Sequence, residues 1–240
     1  SPPSTSRDEV RERSFLLERE GIFPLVIHTT YLINPASAHP EFYQKSAGLL
    51  HDTLHHAALY REPYVVLHTG SHGGDGAGEG IRKVVRVLEE EISKGWAPGV
   101  ILLLENTAGG GHYLGGDIKE LGVILRYFQD APIGFCLDTA HAWAAGYDLS
   151  GEKGVEELLT EIDREIGLKR LHLIHANDTE VARGSRRDRH AHIGEGRIGL
   201  NGFRSLLKHD WPADFPVILE TPETGTEKDK QNIAVLKSCM

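Results

Sequence analysis

The 240-residue sequence predicts an α/β fold of parallel strands. Of the two architectures open to such a chain, it favours a (β/α)8 TIM barrel, N-terminally incomplete, over an open doubly wound sheet. Three observations predict it. Six short apolar runs recur along the chain, as strands buried on both faces do. Helical patterns alternate with them in strict order. Each run also ends in, or within one residue of, a histidine or an acid: His28, His68, Glu105, Asp138, His175 and Glu220. Successive ends stand 40, 37, 33, 37 and 45 residues apart, the length of one strand–loop–helix–loop unit. Parallel strands project all six residues from one end of the sheet. Only a barrel brings six consecutive strand ends to one site, because an open sheet gathers its site at a switch point.

Taken in order, residues 6–20 form a helical pattern with Ser6 or Thr5 as N-cap and Val10, Ser14 and Leu17 near helical spacing. This helix, within residues 1–22, precedes the first strand at 23–28, where Phe23-Pro-Leu-Val-Ile closes on His28. A helix at 41–61 leads to strand 64–68, and one at 79–95 leads to strand 100–105. A helix at 116–129 precedes strand 133–138, and one at 153–166 precedes strand 171–175. A helix at 200–208, strand 215–220 and a helix at 227–238 complete the series. Gly73-Gly-Asp-Gly-Ala-Gly, Gly109-Gly-Gly and Gly194-Glu-Gly mark loops at strand ends. No repeat, low-complexity segment or composition shift divides the chain, so 1–240 reads as one barrel domain. Six strands fall short of the eight a closed barrel needs, and the shortfall lies at the N-terminal side.

Composition narrows the function. The hydrophobic share is 40%, and no apolar stretch approaches the ~20 residues of a membrane helix. The polar start carries no signal-peptide pattern, so the chain is expected to be cytoplasmic, or nuclear in a eukaryote, and not secreted. Two cysteines, Cys136 in an apolar run and Cys239 near the end, exclude a disulfide framework. A net charge of -9 argues mildly against nucleic acid, but Arg183, Arg186, Arg187, Arg189 and Arg197 crowd into one loop. Gly73–Gly80 lacks the Gly-Lys-Ser/Thr ending of a phosphate loop, so no nucleotide cofactor is expected.

A lone histidine ending a strand is more often a hydrogen-bonded rim residue than a ligand, and a lone acid is often a helix N-cap. Six in six strands is a different observation, and imidazole mixed with carboxylate suits zinc, manganese or iron. His141 stands three residues past Asp138, and Asp188 and His190 stand two apart, so an extended backbone directs both to one side. The resulting nine candidates, His28, His68, Glu105, Asp138, His141, His175, Asp188, His190 and Glu220, exceed what one ion takes and imply two or three. A carboxylate must bridge them, since only it offers two oxygens to two ions. Such a cluster suits phosphoester hydrolysis. His39, His51, His55, His56, His112 and His209 read as surface residues, and His172 as packing that alternates away from His175. His72 and His192 lie in Gly-rich loops near the site, where they can support ligands.

In seven segments the chain resembles endonuclease IV, the family 2 apurinic/apyrimidinic endonucleases. They are His28-Thr-Thr-Tyr-Leu-Ile-Asn, His68-Thr-Gly-Ser-His, Glu105-Asn-Thr-Ala-Gly, Asp138-Thr-Ala-His-Ala-Trp-Ala-Ala-Gly-Tyr-Asp, His175-Ala-Asn-Asp, Gly184-Ser-Arg-Arg-Asp-Arg-His-Ala-His-Ile-Gly-Glu-Gly and Glu220-Thr-Pro-Glu. The resemblance implies three Zn2+ per chain, with Mn2+ as a substitute. One ion takes His28, His68 and Glu105; a second shares bridging Glu105 and takes Asp138, His175 and Glu220; the third takes His141, Asp188 and His190. It also implies a metal-bound hydroxide beside Glu105 that attacks the phosphate 5′ of an abasic site in double-stranded DNA, leaving a 3′-hydroxyl and a 5′-deoxyribose phosphate. Tyr31 and Leu32 match positions that enter the minor groove, and Arg186 and Arg189 are the expected phosphate contacts. The family's opening Gly-Ala-His-Val-Ser type strand and its following Asn/Gln-Pro/Arg-Gln-Trp segment are absent. One or two βα units and part of the DNA surface are therefore expected to be missing, with a monomer expected where the barrel is complete. Two alternatives stand beside this reading: a sugar-isomerase-like metal barrel, and a truncated fragment that binds metal or DNA without turnover.

Overall fold

Runs of Val, Leu and Ile without polar interruption must face apolar neighbours on both sides, and the structure buries them in the middle of one parallel sheet. The computed structural model describes residues 7–240. In chain order the elements are α1 (Arg7–Arg19), β1 (Val26–His28), α2 (Pro40–Tyr60), β2 (Tyr64–His68), α3 (Ala77–Lys94), β3 (Ile101–Glu105), α4 (Ile118–Arg126) and β4 (Ile133–Asp138). There follow α5 (Thr139–Ala145), α6 (Glu152–Glu165), β5 (Leu171–His175), β6 (Asp178–Thr179), β7 (His190–Ala191), α7 (Gly199–Leu207), β8 (Val217–Ile218) and α8 (Glu227–Lys237). The main sheet is parallel throughout, in the order β1-β2-β3-β4-β5-β8. Each strand is added beside the last with no reversal, so the sheet has no switch point and grows as a barrel wall does. Among the described residues β1 and β8 are its edges.

Alternation along each strand divides the core. Val65, Leu67, Leu102, Leu104, Phe135, Leu137 and Ile174 pack outward with Leu50 and Leu54 of α2, Leu88 of α3 and Leu158 of α6. Val66, Leu103, Cys136 and Leu173 form a separate inner cluster. Two residues further along the same strands stand His68, Glu105, Asp138 and His175. Because side chains alternate with a period of two, the apolar inner layer is the floor on which these ligands stand.

The register keeps all six candidate ligands on that inner side. His28 pairs with Val66, two residues short of His68, while His68 pairs with Glu105. Glu105 pairs with Cys136, two short of Asp138, and Asp138 pairs with His175. His175 pairs with Ile218, two short of Glu220. Every offset is zero or two, and an offset of one would have turned a ligand outward. The step from β4 to β5 depends on a bulge, since Phe135 pairs with Leu171 but Cys136 pairs with Leu173. The extra residue is His172. Were His172 paired with Cys136 in an unbroken ladder instead of bulged out of it, His175 would face the helices.

That bulge corrects one expectation. His172 does not alternate away from the inner face; its ring lies 6.1 Å from that of Tyr64, which packs against the inner cluster. The ring occupies the space where Gly134 has no Cβ. Gly134→Ala is therefore expected to overpack this end of the barrel and destabilise it by about 1–3 kcal/mol, read as a lower urea midpoint; an unchanged midpoint would contradict the assigned bulge.

Several boundaries differ from expectation. The first strand starts at Val26 rather than residue 23, since Pro24 has no N–H for a ladder and Phe23 is 79% exposed. The last strand is Val217–Ile218, with Pro216 limiting its start. Helix α5, unforeseen, begins directly at the end of β4, where the Asp138 carboxylate caps it by accepting from His141 N at 2.7 Å. The antiparallel pair β6–β7 was also unforeseen. The expected N-cap, Ser6 or Thr5, lies outside the described residues. Among the described residues no helix is long and apolar enough to cross a membrane.

Candidate metal centre

The strand ends deliver imidazoles whose orientation is set by the backbone. His28 Nδ1 donates to Thr29 O at 2.9 Å, His141 Nδ1 to Asn106 O at 3.0 Å, and His190 Nδ1 to Glu220 O at 2.8 Å. A ring whose Nδ1 is tied in this way carries its lone pair on Nε2, the usual preparation of a metal-binding histidine. All three Nε2 atoms face carboxylates: His28 meets Glu105 Oε2 at 3.0 Å, His141 meets Asp188 Oδ2 at 3.2 Å, and His190 meets Asp188 Oδ1 at 3.2 Å. His190 Nε2 is buried and makes no aligned hydrogen bond, so its lone pair is left for a cation.

Glu105 is the hub. It is fully buried, and its two oxygens face different partners. Oε2 lies 3.0 Å from both His28 Nε2 and His68 Nε2, while Oε1 lies 2.8 Å from His175 Nδ1. His175 Nδ1 is also 3.3 Å from Glu220 Oε2. One ligand atom each from His28, His68 and Glu105 falls within 4.8 Å, as do those of Glu105, Asp138, His175 and Glu220, and those of Asp138, His141 and His190. The structure thus gathers all nine candidates, with Asp188 reaching the last group through both its histidines. Asp138 stands in both the second and third groups, which the sequence did not foretell.

The electrostatics show a site built around positive charge. Burial opposes protonation of His28, but the Glu105 carboxylate outweighs it and lifts the imidazole to about 9. His141, also disfavoured by burial, is raised to about 10 by Asp138, Asp188 and Glu105, and His190 to about 9 chiefly by Asp188 and Asp138. Burial pushes Glu105 up, yet His175, His28 and His68 together hold it well below the usual carboxylate range. The facing imidazoles of His141 and His190 hold Asp188 down as well. Divalent cations between these groups satisfy the same field without protons, and the imidazole–carboxylate donor set suits a borderline ion such as zinc. Cys136 does not join, because burial and the neighbouring Glu105 and Asp138 keep its thiol protonated.

Three supporting residues were missed by the sequence reading. Asn106 donates to Asp138 O at 2.9 Å and accepts from Asp138 N at 2.8 Å, locking adjacent strand ends. Asn177 donates to Asp138 Oδ2 at 2.6 Å and accepts from Glu220 N at 2.7 Å. Buried Asp178 accepts from the backbone of Thr179, Gly194, Gly196, Ile198 and Gly199, holding the loop that follows His190. The signal was an amide or acid within three residues after a ligand, in Glu105-Asn106 and His175-Ala-Asn177-Asp178.

A cavity of about 620 Å³ opens beside the cluster, lined among others by His28, His68, His141, Asp188, Tyr31, Tyr113 and Arg186. Tyr31, which lines it, is 94% exposed, and neighbouring Leu32 is 63% exposed. The arginine loop is less uniform than expected: Arg183 pairs with Asp148, Arg197 donates to Glu180 O, and Arg189 Nη1 donates to Asp188 O at 3.0 Å. Arg186 alone of the five lines this cavity.

The family model described as a xylose isomerase-like TIM barrel matches residues 2–239. A probable endonuclease 4 of Natranaerobius thermophilus is 49% identical over 221 residues, covering 92% of this chain and 78% of its own length. One of Halothermothrix orenii is 41% identical over 234 residues, covering 97% and 84%. The crystal structure of endonuclease IV from Thermus thermophilus superposes with a TM-score of 0.84 at 37% identity, over 100% of this chain and 84% of that one. A D-tagatose 3-epimerase-like protein shares the fold at a TM-score of 0.72 and 21% identity, over 98% of this chain and 83% of that one. That last likeness is one of fold alone.

Proposed function

Because the chain belongs to the endonuclease IV family, and is therefore a DNA-cleaving hydrolase of DNA repair, we propose that its nine-residue centre incises the phosphodiester 5′ of abasic sites in duplex DNA. The products are a 3′-hydroxyl and a 5′-deoxyribose phosphate. The observation that carries this reading is Glu105, whose two oxygens face separate sets of imidazoles across one buried carboxylate. Three zinc ions fit the donors: one with His28, His68 and Glu105, one with Glu105, Asp138, His175 and Glu220, and one with His141, Asp188 and His190. Bound there, zinc supplies a water of lowered pKa, a polarised phosphate and a stabilised leaving oxygen. The chain's own groups do the positioning. Thr29, Asn106 and Glu220 carbonyls fix three ring orientations, and Asn177 holds Asp138 in place. Glu105 would offer one oxygen to each of two cations, and no separate protein base would be required. Arg186 meets a backbone phosphate at the cavity, with Arg189 beside it. Tyr31 and Leu32 enter the duplex and fill the space of the extruded nucleotide. Where the barrel is complete the protein acts as a monomer, in the cytoplasm or, in a eukaryote, the nucleus.

The test is a duplex holding a single tetrahydrofuran abasic analogue. Metal-replete protein is expected to incise 5′ of the lesion, and to lose incision to zinc chelators. Binding without incision sinks the catalytic reading. Tyr31→Ala is expected to lower kcat/KM on that duplex about 5- to 150-fold, the range that about 1–3 kcal/mol of aromatic–base stacking commands, with metal content unchanged. An unaltered kcat/KM removes Tyr31 from the interface.

A further inference from the structure

Outside the sheet, α2 and α3 bring together three ligand-type side chains that the barrel centre does not use. His51 and His55 lie one turn apart on α2, their ring centroids 4.1 Å apart. His51 Nδ1 meets Glu91 Oε1 of α3 at 2.8 Å. His55 Nδ1 donates to His51 O at 3.0 Å, which leaves its lone pair on Nε2. One ligand atom from each of the three falls within 4.8 Å. Glu91 is 1% exposed, whereas both histidines reach solvent, so the cluster has a buried anionic floor and an open mouth. Lys94 Nζ lies 3.8 Å from Glu91 Oε2, beyond hydrogen-bonding distance. An ion pair between His51 and Glu91 accounts for those two residues alone. It leaves the His55 ring held against a second imidazole, where two protonated rings would repel.

We propose that His51, His55 and Glu91 form a surface site for one borderline divalent transition-metal ion of the Zn2+, Ni2+ or Cu2+ class. Two imidazoles and one carboxylate supply three protein ligands and leave the fourth position to water, a donor set that does not suit Mg2+ or Ca2+. The ion clamps α2 to α3. Ser46 of α2 accepts from Asn34 N at 2.8 Å, so the clamp also steadies the helix that anchors the loop bearing Tyr31 and Leu32.

The test compares wild type with His55→Ala and Glu91→Gln, each loaded with Zn2+, washed and assayed for metal per chain. Both variants are expected to hold one equivalent fewer than wild type, a difference independent of how many ions the barrel centre takes. Ni2+ titration should show a site weakened roughly ten-fold or more in each variant. Metal should raise the melting temperature of wild type more than that of His55→Ala, with the metal-free proteins melting alike. Equal metal content in wild type and either variant, or Ni2+ binding unaffected by both substitutions, overturns the proposal and leaves a histidine–carboxylate pair only.

Discussion

Glu105→Gln is expected to abolish incision while leaving the barrel folded. The amide matches the carboxylate in shape and fills the same buried position between His28, His68 and His175. It removes the charge that two cations would share, and it turns an NH2 toward one set of imidazoles. Loss of a single fixed group aimed at developing charge commonly costs about 10²–10³ in rate, and a shared ligand affects two ions at once. The expected fall in kcat on the abasic duplex is therefore on the order of 10³ or more, with metal per chain reduced. The metal-free protein should still fold but melt lower than wild type, since the buried imidazoles facing Glu105 lose their counter-charge. Near-normal turnover would falsify the bridging role of Glu105.

Asp178→Ala is expected to do the reverse, striking the scaffold first. Oδ1 accepts from neighbouring Thr179 N and from Ile198 N, and Oδ2 from Gly194 N, Gly196 N and Gly199 N, so four of the five donors belong to the loop that follows His190. Alanine leaves these donors without an acceptor in a buried place, where each unsatisfied group costs about 1–3 kcal/mol. Relaxation and water recover part of the loss, and the net expectation is roughly 3–5 kcal/mol. At this chain length that is a drop on the order of 10 °C in melting temperature. Asp178→Asn keeps one accepting oxygen but points an amide NH2 at the other oxygen's donors, so it should recover only part of the stability. A melting temperature within about a degree or two of wild type for Asp178→Ala would show that the loop is held by something else.

The two residues also show what was legible. Glu105 ends an apolar run, and with five other runs ending in the same way its type and place in the chain mark it as a candidate ligand. Asp178 ends no run and repeats no pattern; its importance comes from the five backbone N–H groups that converge on it from residues 179–199. His51 and His55 make the same point from the other side. One turn apart on an amphipathic helix they read as surface residues, and only the approach of α3 places buried Glu91 beneath them. Helix α5 was hidden because it is short and its first turn is read for His141 as a candidate ligand, while the capping bond that starts it uses the carboxylate of Asp138, itself a candidate ligand.

By itself the sequence determined the strands, their order in the barrel wall and the nine residues gathered at one rim. Apolar runs, turn residues and ligand types are local properties, and parallel strands must place their ends together. The tertiary structure alone decided which ligands share a carboxylate, that Asp138 stands between two groups, and that His175 faces inward at all. Those outcomes rest on strand register and on one bulge at His172, where a single-residue slip would turn every later side chain to the opposite face.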